Sequence, residues 1–167
     1  MLRETVSRLL GERPTLEKAG QLRRVIGSFP DVSGVYDLVI HNYGPDSLIG
    51  SVHIEVPDYM RADALDGLMR EIVEKVAVEC GVRLTGISVY GRNTNHNEAE
   101  EIEQTIRGKL LSTPHVIQMH GFYLNEEKKQ IQFDVVVDFD TSNRRQIFDD
   151  AIAGIRAMYP DYTIQAI

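Results

Sequence analysis

Hydrophobic and polar positions along the first half of the chain follow two different periods. Apolar residues three or four apart are typical of amphipathic helices, and alternating ones are typical of strands with one buried face. Beyond a short helix predicted over Leu2–Leu10, these periods predict the order helix, strand, strand, helix, strand. The predicted elements are a helix capped by Thr15 with apolar face Leu16, Ala19, Leu22, Val25, Ile26 and Phe29, strands Val35–His41 and Leu48–Val56, a helix from Arg61 to Cys80 closed by Gly81, and strand Val82–Tyr90.

The same order of elements recurs after the polar run Gly91–Asn97, which indicates a boundary. Recurrence of one supersecondary pattern predicts a tandem of two α-β-β-α-β open sandwiches, an α/β (α+β) class with ferredoxin-like topology. The predicted domains span residues 14–92 and 97–167, preceded by a segment over 1–13. The second set comprises a helix carrying Ile102, Ile106, Leu110 and Leu111, strands His115–Leu124 and Lys129–Phe139, a helix marked by Ile147, Phe148, Ala151, Ile155 and Met158, and strand Tyr162–Ile167.

The first predicted hairpin brings a carboxylate and an imidazole together on the polar face of its sheet. If apolar residues of both strands face the helices, Asp37 lies directly opposite His53, and Glu55 follows on the same face. Side chains in such pairs are about 4.5–5.5 Å apart at Cβ, close enough to share one divalent metal ion. An ordinary polar pair on a solvated sheet face is the alternative interpretation.

The second predicted hairpin gives a similar pair. With Met119 opposite Val135 and Ile117 opposite Val137 on the apolar side, His120 faces Asp134 on the other. The same two interpretations hold for this hairpin, so His120 and Asp134 are candidate metal ligands or a solvated pair.

The composition of the chain and the motifs that it lacks disfavour several classes of function. The net charge of −7 disfavours a nucleic-acid partner, because most of the surface would repel a polyanion. A single cysteine, Cys80, excludes an internal disulfide and a thiolate-cluster zinc site. Its place on the apolar stripe of the helix Arg61–Cys80 predicts a buried, inert thiol. No nucleophile elbow, phosphate loop or metalloprotease motif is present, so we expect no enzyme. The sequence given contains neither a signal peptide nor an apolar run near the ~20 residues of a spanning helix, so we expect it not to cross a membrane.

Four short motifs in the first half resemble one protein family. In order, they are Leu9-Leu10-Gly11-Glu12, Gly34-Val35-Tyr36-Asp37-Leu38, His41-Asn42-Tyr43-Gly44-Pro45 and Ser51-Val52-His53-Ile54-Glu55-Val56. With their spacing, they are similar to the cytoplasmic C-terminal domain of cation diffusion facilitator (cation efflux) transporters. The resemblance covers about residues 1–90, and the second half resembles a divergent extra copy of the same fold.

The resemblance implies a metallochaperone-like fold that forms a homodimer and binds a divalent metal ion near the dimer interface. The ion would be zinc first, with manganese, iron or cobalt as alternatives. The chain would then be the regulatory part of a metal/proton antiporter on the cytoplasmic face of the membrane. Residues 1–13 would link it to the transmembrane domain of the same polypeptide, its second expected partner.

Carried over residue by residue, the resemblance assigns only part of the family's ligand set. Asp37 and His53 match family ligand positions. Tyr36 and Leu65 stand where the family often has histidine, and Ser88 and Tyr90 replace a His-x-Asp pair. The expected function is a domain that senses cytosolic metal and stabilises the transport-competent dimer. The alternatives are a dimerisation module whose metal site is lost, and a stand-alone small-molecule sensor.

Overall fold

The computed structural model describes residues 16–43, 47–94 and 98–167, which divide into two compact units between Arg92 and Asn93. The predicted helix Leu2–Leu10, the Thr15 cap and the end of the polar run Gly91–Asn97 lie outside the described residues. Each unit is an α-β-β-α-β open sandwich with a three-stranded mixed sheet, as predicted.

The first unit forms its sheet in the order β1-β2-β3. Strands β1 and β2 are an antiparallel hairpin, whereas β2 and β3 run parallel because a helix connects them. The elements are α1 (Leu16–Ile26), β1 (Gly34–Asn42), β2 (Leu48–Pro57), α2 (Ala62–Cys80) and β3 (Val82–Arg92).

The core of this unit lies between the two helices and one face of the sheet. Leu22 and Ile26 of α1, Ile54 of β2, and Ile72 and Val76 of α2 are fully buried there. The stripe of apolar residues predicted for α2 therefore does face the core. Burying each such side chain contributes about 1.5–3 kcal/mol relative to leaving it exposed.

Two side chains of helix α1 also form hydrogen bonds with the C-terminal end of α2. Lys18 Nζ donates to the carbonyl of Cys80 at 3.0 Å, and Gln21 Nε2 donates to the carbonyl of Glu79 at 2.9 Å. These carbonyls lack partners within α2, and a cation there also meets the negative end of the helix dipole. Leu16, predicted on the apolar face of α1, is instead 93% exposed and takes no part in the core.

The second unit repeats this arrangement with sheet order β4-β5-β6. Its buried core includes Ile106 and Leu110 of the first helix, Ile131 and Phe133 of the central strand, and Ile155 of the second helix. The elements are α3 (Glu98–Leu111), β4 (Val116–Asn125), β5 (Gln130–Val137), α4 (Arg144–Met158) and β6 (Thr163–Ala166).

A β-bulge in β1 changes the register that the sequence predicts. From Val39↔Ser51 towards the turn the pairs are as predicted, but beyond the bulge Tyr36, not Asp37, lies opposite His53. Asp37 and Leu38 together oppose Val52, and Asp37 has φ +48°. The physical reason is that Val35 and Leu38 both pack on the core, which a strict alternation does not permit. The predicted register would place Tyr36 opposite Ile54 on the helix side, whereas in the structure it lies opposite His53 on the polar side.

The hairpin of the second unit contains two irregularities. The pairs Met119↔Val135 and His120↔Asp134 are as predicted. The pair Ile117↔Val137 is wrong: Val116 opposes Val137, and Ile117 is 59% exposed. Beyond His120 a second bulge begins, where Gly121 has φ +64°.

Two glycines of the first unit allow a matched stability test. Gly81 ends α2 with φ +65°, and a Cβ added there would meet nothing within 4 Å. Gly67 lies inside α2 with equally open surroundings. We expect Gly81→Ala to lower the free energy of unfolding by about 1 kcal/mol through backbone strain alone, and Gly67→Ala to raise it by about 0.5–1 kcal/mol. Urea unfolding measures both, and changes of equal sign would contradict this account of the two sites.

Candidate metal site

The bulge in β1 places the Asp37 carboxylate against the His53 imidazole. Asp37 Oδ2 lies 2.7 Å from His53 Nδ1, and the two side chains are 40% and 33% exposed. Aspartate is one of the few non-glycine residue types that adopt the left-handed conformation readily. The predicted pair is therefore present in space, but it arises from the bulge and not from direct cross-strand opposition.

Tyr90 of β3 completes a triangle of polar atoms. Its hydroxyl oxygen lies 2.8 Å from His53 Nδ1 and 3.2 Å from Asp37 Oδ2. In the parallel register of β2 and β3, His53 opposes Ser88 and Glu55 opposes Tyr90, so Tyr90 reaches His53 diagonally. Its ring stands edge-on to the imidazole, with centroids 4.8 Å apart.

Within this triangle, His53 Nδ1 can hold either a proton or a metal ion, but not both. Nδ1 offers a single in-plane position, occupied by either a proton or a lone pair. An arrangement that satisfies all three groups has Nδ1–H donating towards Asp37 and the phenol O–H also donating to Asp37. A metal ion bound to Nδ1 takes the place of that ring proton, which a neutral imidazole then carries on Nε2.

Glu55, the third predicted ligand on this hairpin, has a different partner. The Ser33 hydroxyl donates to Glu55 Oε2 at 2.7 Å. Within the part of the first unit that the structure describes, no third His, Cys, Asp or Glu comes within 4.8 Å of the donor atoms of both Asp37 and His53. The structure thus brings two of the three predicted ligands together, and sequence reasoning missed Tyr90 as their neighbour.

In the second unit the predicted pair is looser and more buried. His120 is 2% exposed and Asp134 is 26% exposed, with His120 Nε2 and Asp134 Oδ2 3.8 Å apart. That separation is beyond hydrogen-bond distance. The pair occupies the register position beside the bulge, as Tyr36 and His53 do in the first unit. To share one zinc ion, these two atoms would approach each other by roughly 0.5 Å, and the burial of His120 leaves an ion less access than at the more exposed pair of Asp37 and His53.

Cys80 is remote from this chemistry, as its position on the apolar stripe predicts. It is 3% exposed in the first core. Burial raises the pKa of the Cys80 thiol, and the negative charge of Glu79 acts in the same direction, against the opposing effect of Lys18 and Arg24. The thiolate, which is the nucleophile and metal ligand, is thereby disfavoured.

Thiol alkylation checks the state of Cys80. At about pH 8 we expect the folded protein to react with iodoacetamide at least about tenfold more slowly than the urea-unfolded chain, because the folded thiol is both shielded and protonated. Mass spectrometry over time gives both rates. Equal rates would contradict a buried, inert thiol.

Neither a protein-family model nor a curated protein matches the chain. Among the helices that the structure describes, each is too short or too polar to span a lipid bilayer.

Proposed function

We propose that the chain is a metal-responsive regulatory and dimerisation domain of a divalent metal cation efflux transporter. The observation that carries this proposal is the contact between Asp37 and His53 on the polar face of the first sheet. The family motifs in residues 1–90 supply the transporter context, and the α-β-β-α-β order agrees with the fold which they imply.

The chemistry of the pair suits a transition-metal ion. Carboxylate oxygen and imidazole nitrogen bind zinc at about 2.0–2.2 Å, which holds two tetrahedral ligands roughly 3.3 Å apart. The 2.7 Å separation of Asp37 Oδ2 and His53 Nδ1 therefore needs to widen by only about 0.6 Å. Both side chains are partly exposed, so an ion reaches them without opening the core.

A metal bound here acts on the dimer through charge. The chain carries a net charge of −7, so two copies repel each other before the ion binds. An ion that binds the closed dimer more tightly than the other state shifts the population towards the closed dimer. The shift is no larger than the difference in affinity between the two states. A tenfold preference corresponds to about 1.4 kcal/mol.

One observation favours the alternative of a dimerisation module without metal. Leu65, at a family ligand position, packs against the first core and offers no donor atom. Two ligands alone would give weak binding, so this alternative predicts no response to zinc. Titration separates the two functions.

Calorimetric titration of zinc and manganese into the metal-stripped protein at about pH 7.5, where free imidazole is mostly neutral, tests the proposal. We expect sub-millimolar zinc binding that weakens at least about tenfold in His53→Ala and Asp37→Asn, since each loses a ligand. Asparagine is chosen because it also tolerates the left-handed backbone at position 37.

Two matched controls accompany these variants. His41→Ala removes an imidazole four residues from Asp37 on the same strand, and Asp31→Asn removes an exposed carboxylate outside the sheet. Both should bind zinc as the parent protein does. Absence of zinc binding in the parent, or equal losses in the controls, would contradict the site.

Sedimentation equilibrium with and without zinc tests the coupling to assembly. The dimer dissociation constant should fall when zinc is bound, and His53→Ala should remove this dependence. A dimer dissociation constant that is the same with and without zinc would support the dimerisation module that works without metal.

A further inference from the structure

We propose that Tyr90 is the third metal ligand of this site and that it binds as a phenolate. The inference rests on the proposed metal-binding function and gives a ligand role to a tyrosine, a residue type that differs from the His-x-Asp pair which the resemblance implies at this end of the third strand. It assigns the site a mixed donor set of one imidazole nitrogen and two anionic oxygens, formed by Asp37, His53 and Tyr90.

The first argument is convergence. The three donor atoms lie within 3.2 Å of one another, and each comes from a different strand: β1, β2 and β3. An ion at the centre of this triangle needs a modest widening of each side and no change of backbone. The phenol oxygen is already as close to His53 Nδ1, at 2.8 Å, as the carboxylate is at 2.7 Å.

The second argument is the shortage of other ligands. Glu55 accepts a hydrogen bond from the Ser33 hydroxyl. The described residues of the first unit place no further His, Cys, Asp or Glu beside Asp37 and His53. Ser88 opposes His53 in the register, but a neutral serine hydroxyl is a weak ligand. Tyr90 is therefore the available group that adds an anionic oxygen.

The third argument is charge balance. A divalent ion bound by the Asp37 carboxylate, a Tyr90 phenolate and a neutral His53 forms a centre with no net charge. The balanced step is the loss of the phenol proton to solvent as the oxygen–metal bond forms, while the imidazole proton moves from Nδ1 to Nε2 without net release. Free phenols deprotonate near pH 10, so the proton leaves only because the ion replaces it.

The phenol is also oriented before an ion arrives. The Tyr90 ring stands edge-on to the His53 imidazole. The Tyr36 ring is a second neighbour of Tyr90, and the centroids of these two rings are 6.3 Å apart. Such orientation reduces the conformational entropy lost on binding. The donor set favours Lewis-acidic first-row ions such as zinc or iron over soft ions, which prefer thiolates.

Zinc titration of the intact chain at about pH 8, where free histidine is neutral, tests this assignment. Calorimetry in two buffers with different ionisation enthalpies counts the protons released, and ultraviolet difference absorption detects tyrosinate. We expect about one proton per zinc and a tyrosinate band in the parent protein. Tyr90→Phe should lose both signals and bind zinc at least about tenfold more weakly, whereas Tyr59→Phe, at a tyrosine that is 74% exposed, should retain them.

The outcomes separate this inference from the proposed function. Zinc binding without proton release or tyrosinate absorption would overturn the role of Tyr90 and leave the Asp37–His53 site intact. Tighter binding by Tyr90→Phe would show that the hydroxyl obstructs the ion, which also overturns it. No zinc binding by the parent protein would overturn both proposals. Thermal unfolding of Tyr90→Phe confirms that any loss is not a failure to fold.

Discussion

The β-bulge at Asp37 and Leu38 is the constraint on which the candidate site depends. It lets Val35 and Leu38 both pack on the core although only two residues separate them. The extra residue turns the carboxylate of Asp37 towards the imidazole of His53. The core packing of β1 and the geometry of the site are thus two results of one backbone irregularity.

The central strand links the site to the stability of the unit. Val52 and Ile54 are buried on the helix side of β2, and His53 between them points to the polar side. Because a shift of one residue would exchange these faces, the hydrophobic core fixes where the imidazole stands. The pairing of β2 with β3 then fixes Tyr90 relative to it. All three polar groups lie on strands, so no loop positions them.

The sequence predicts most of the fold because its helices and strands have strong periodicity. The apolar stripe of α2, its end at Gly81 and the alternation of β2 lead directly to the observed elements. The bulge was not predictable from alternation, since it depends on Val35 and Leu38 both packing on the core. Strict alternation therefore pairs Asp37 with His53 through a register that is wrong at this end of the hairpin.

Parts of the site depend on contacts that no single-strand pattern contains. The interaction of Glu55 with Ser33 needs the position of the chain just before β1. Tyr90 was accessible to prediction in principle, because the parallel register that places Ser88 beside His53 also places Tyr90 diagonally next to it. The resemblance gives no sign of this contact, because tyrosine differs from the His-x-Asp pair that it implies at this place.

The recurrence of the bulge in the second unit separates backbone shape from side-chain chemistry. Gly121 adopts there the left-handed conformation that Asp37 adopts in the first unit, beside the pair of His120 and Asp134. The kink is therefore a property of the scaffold, and its side chain is open to replacement at a cost of about 1–2 kcal/mol for a non-glycine residue. A backbone that keeps this kink with either an aspartate or a glycine tolerates exchange of the side chain without redesign of the fold, which makes Gly121 a practical position at which to engineer a new polar group.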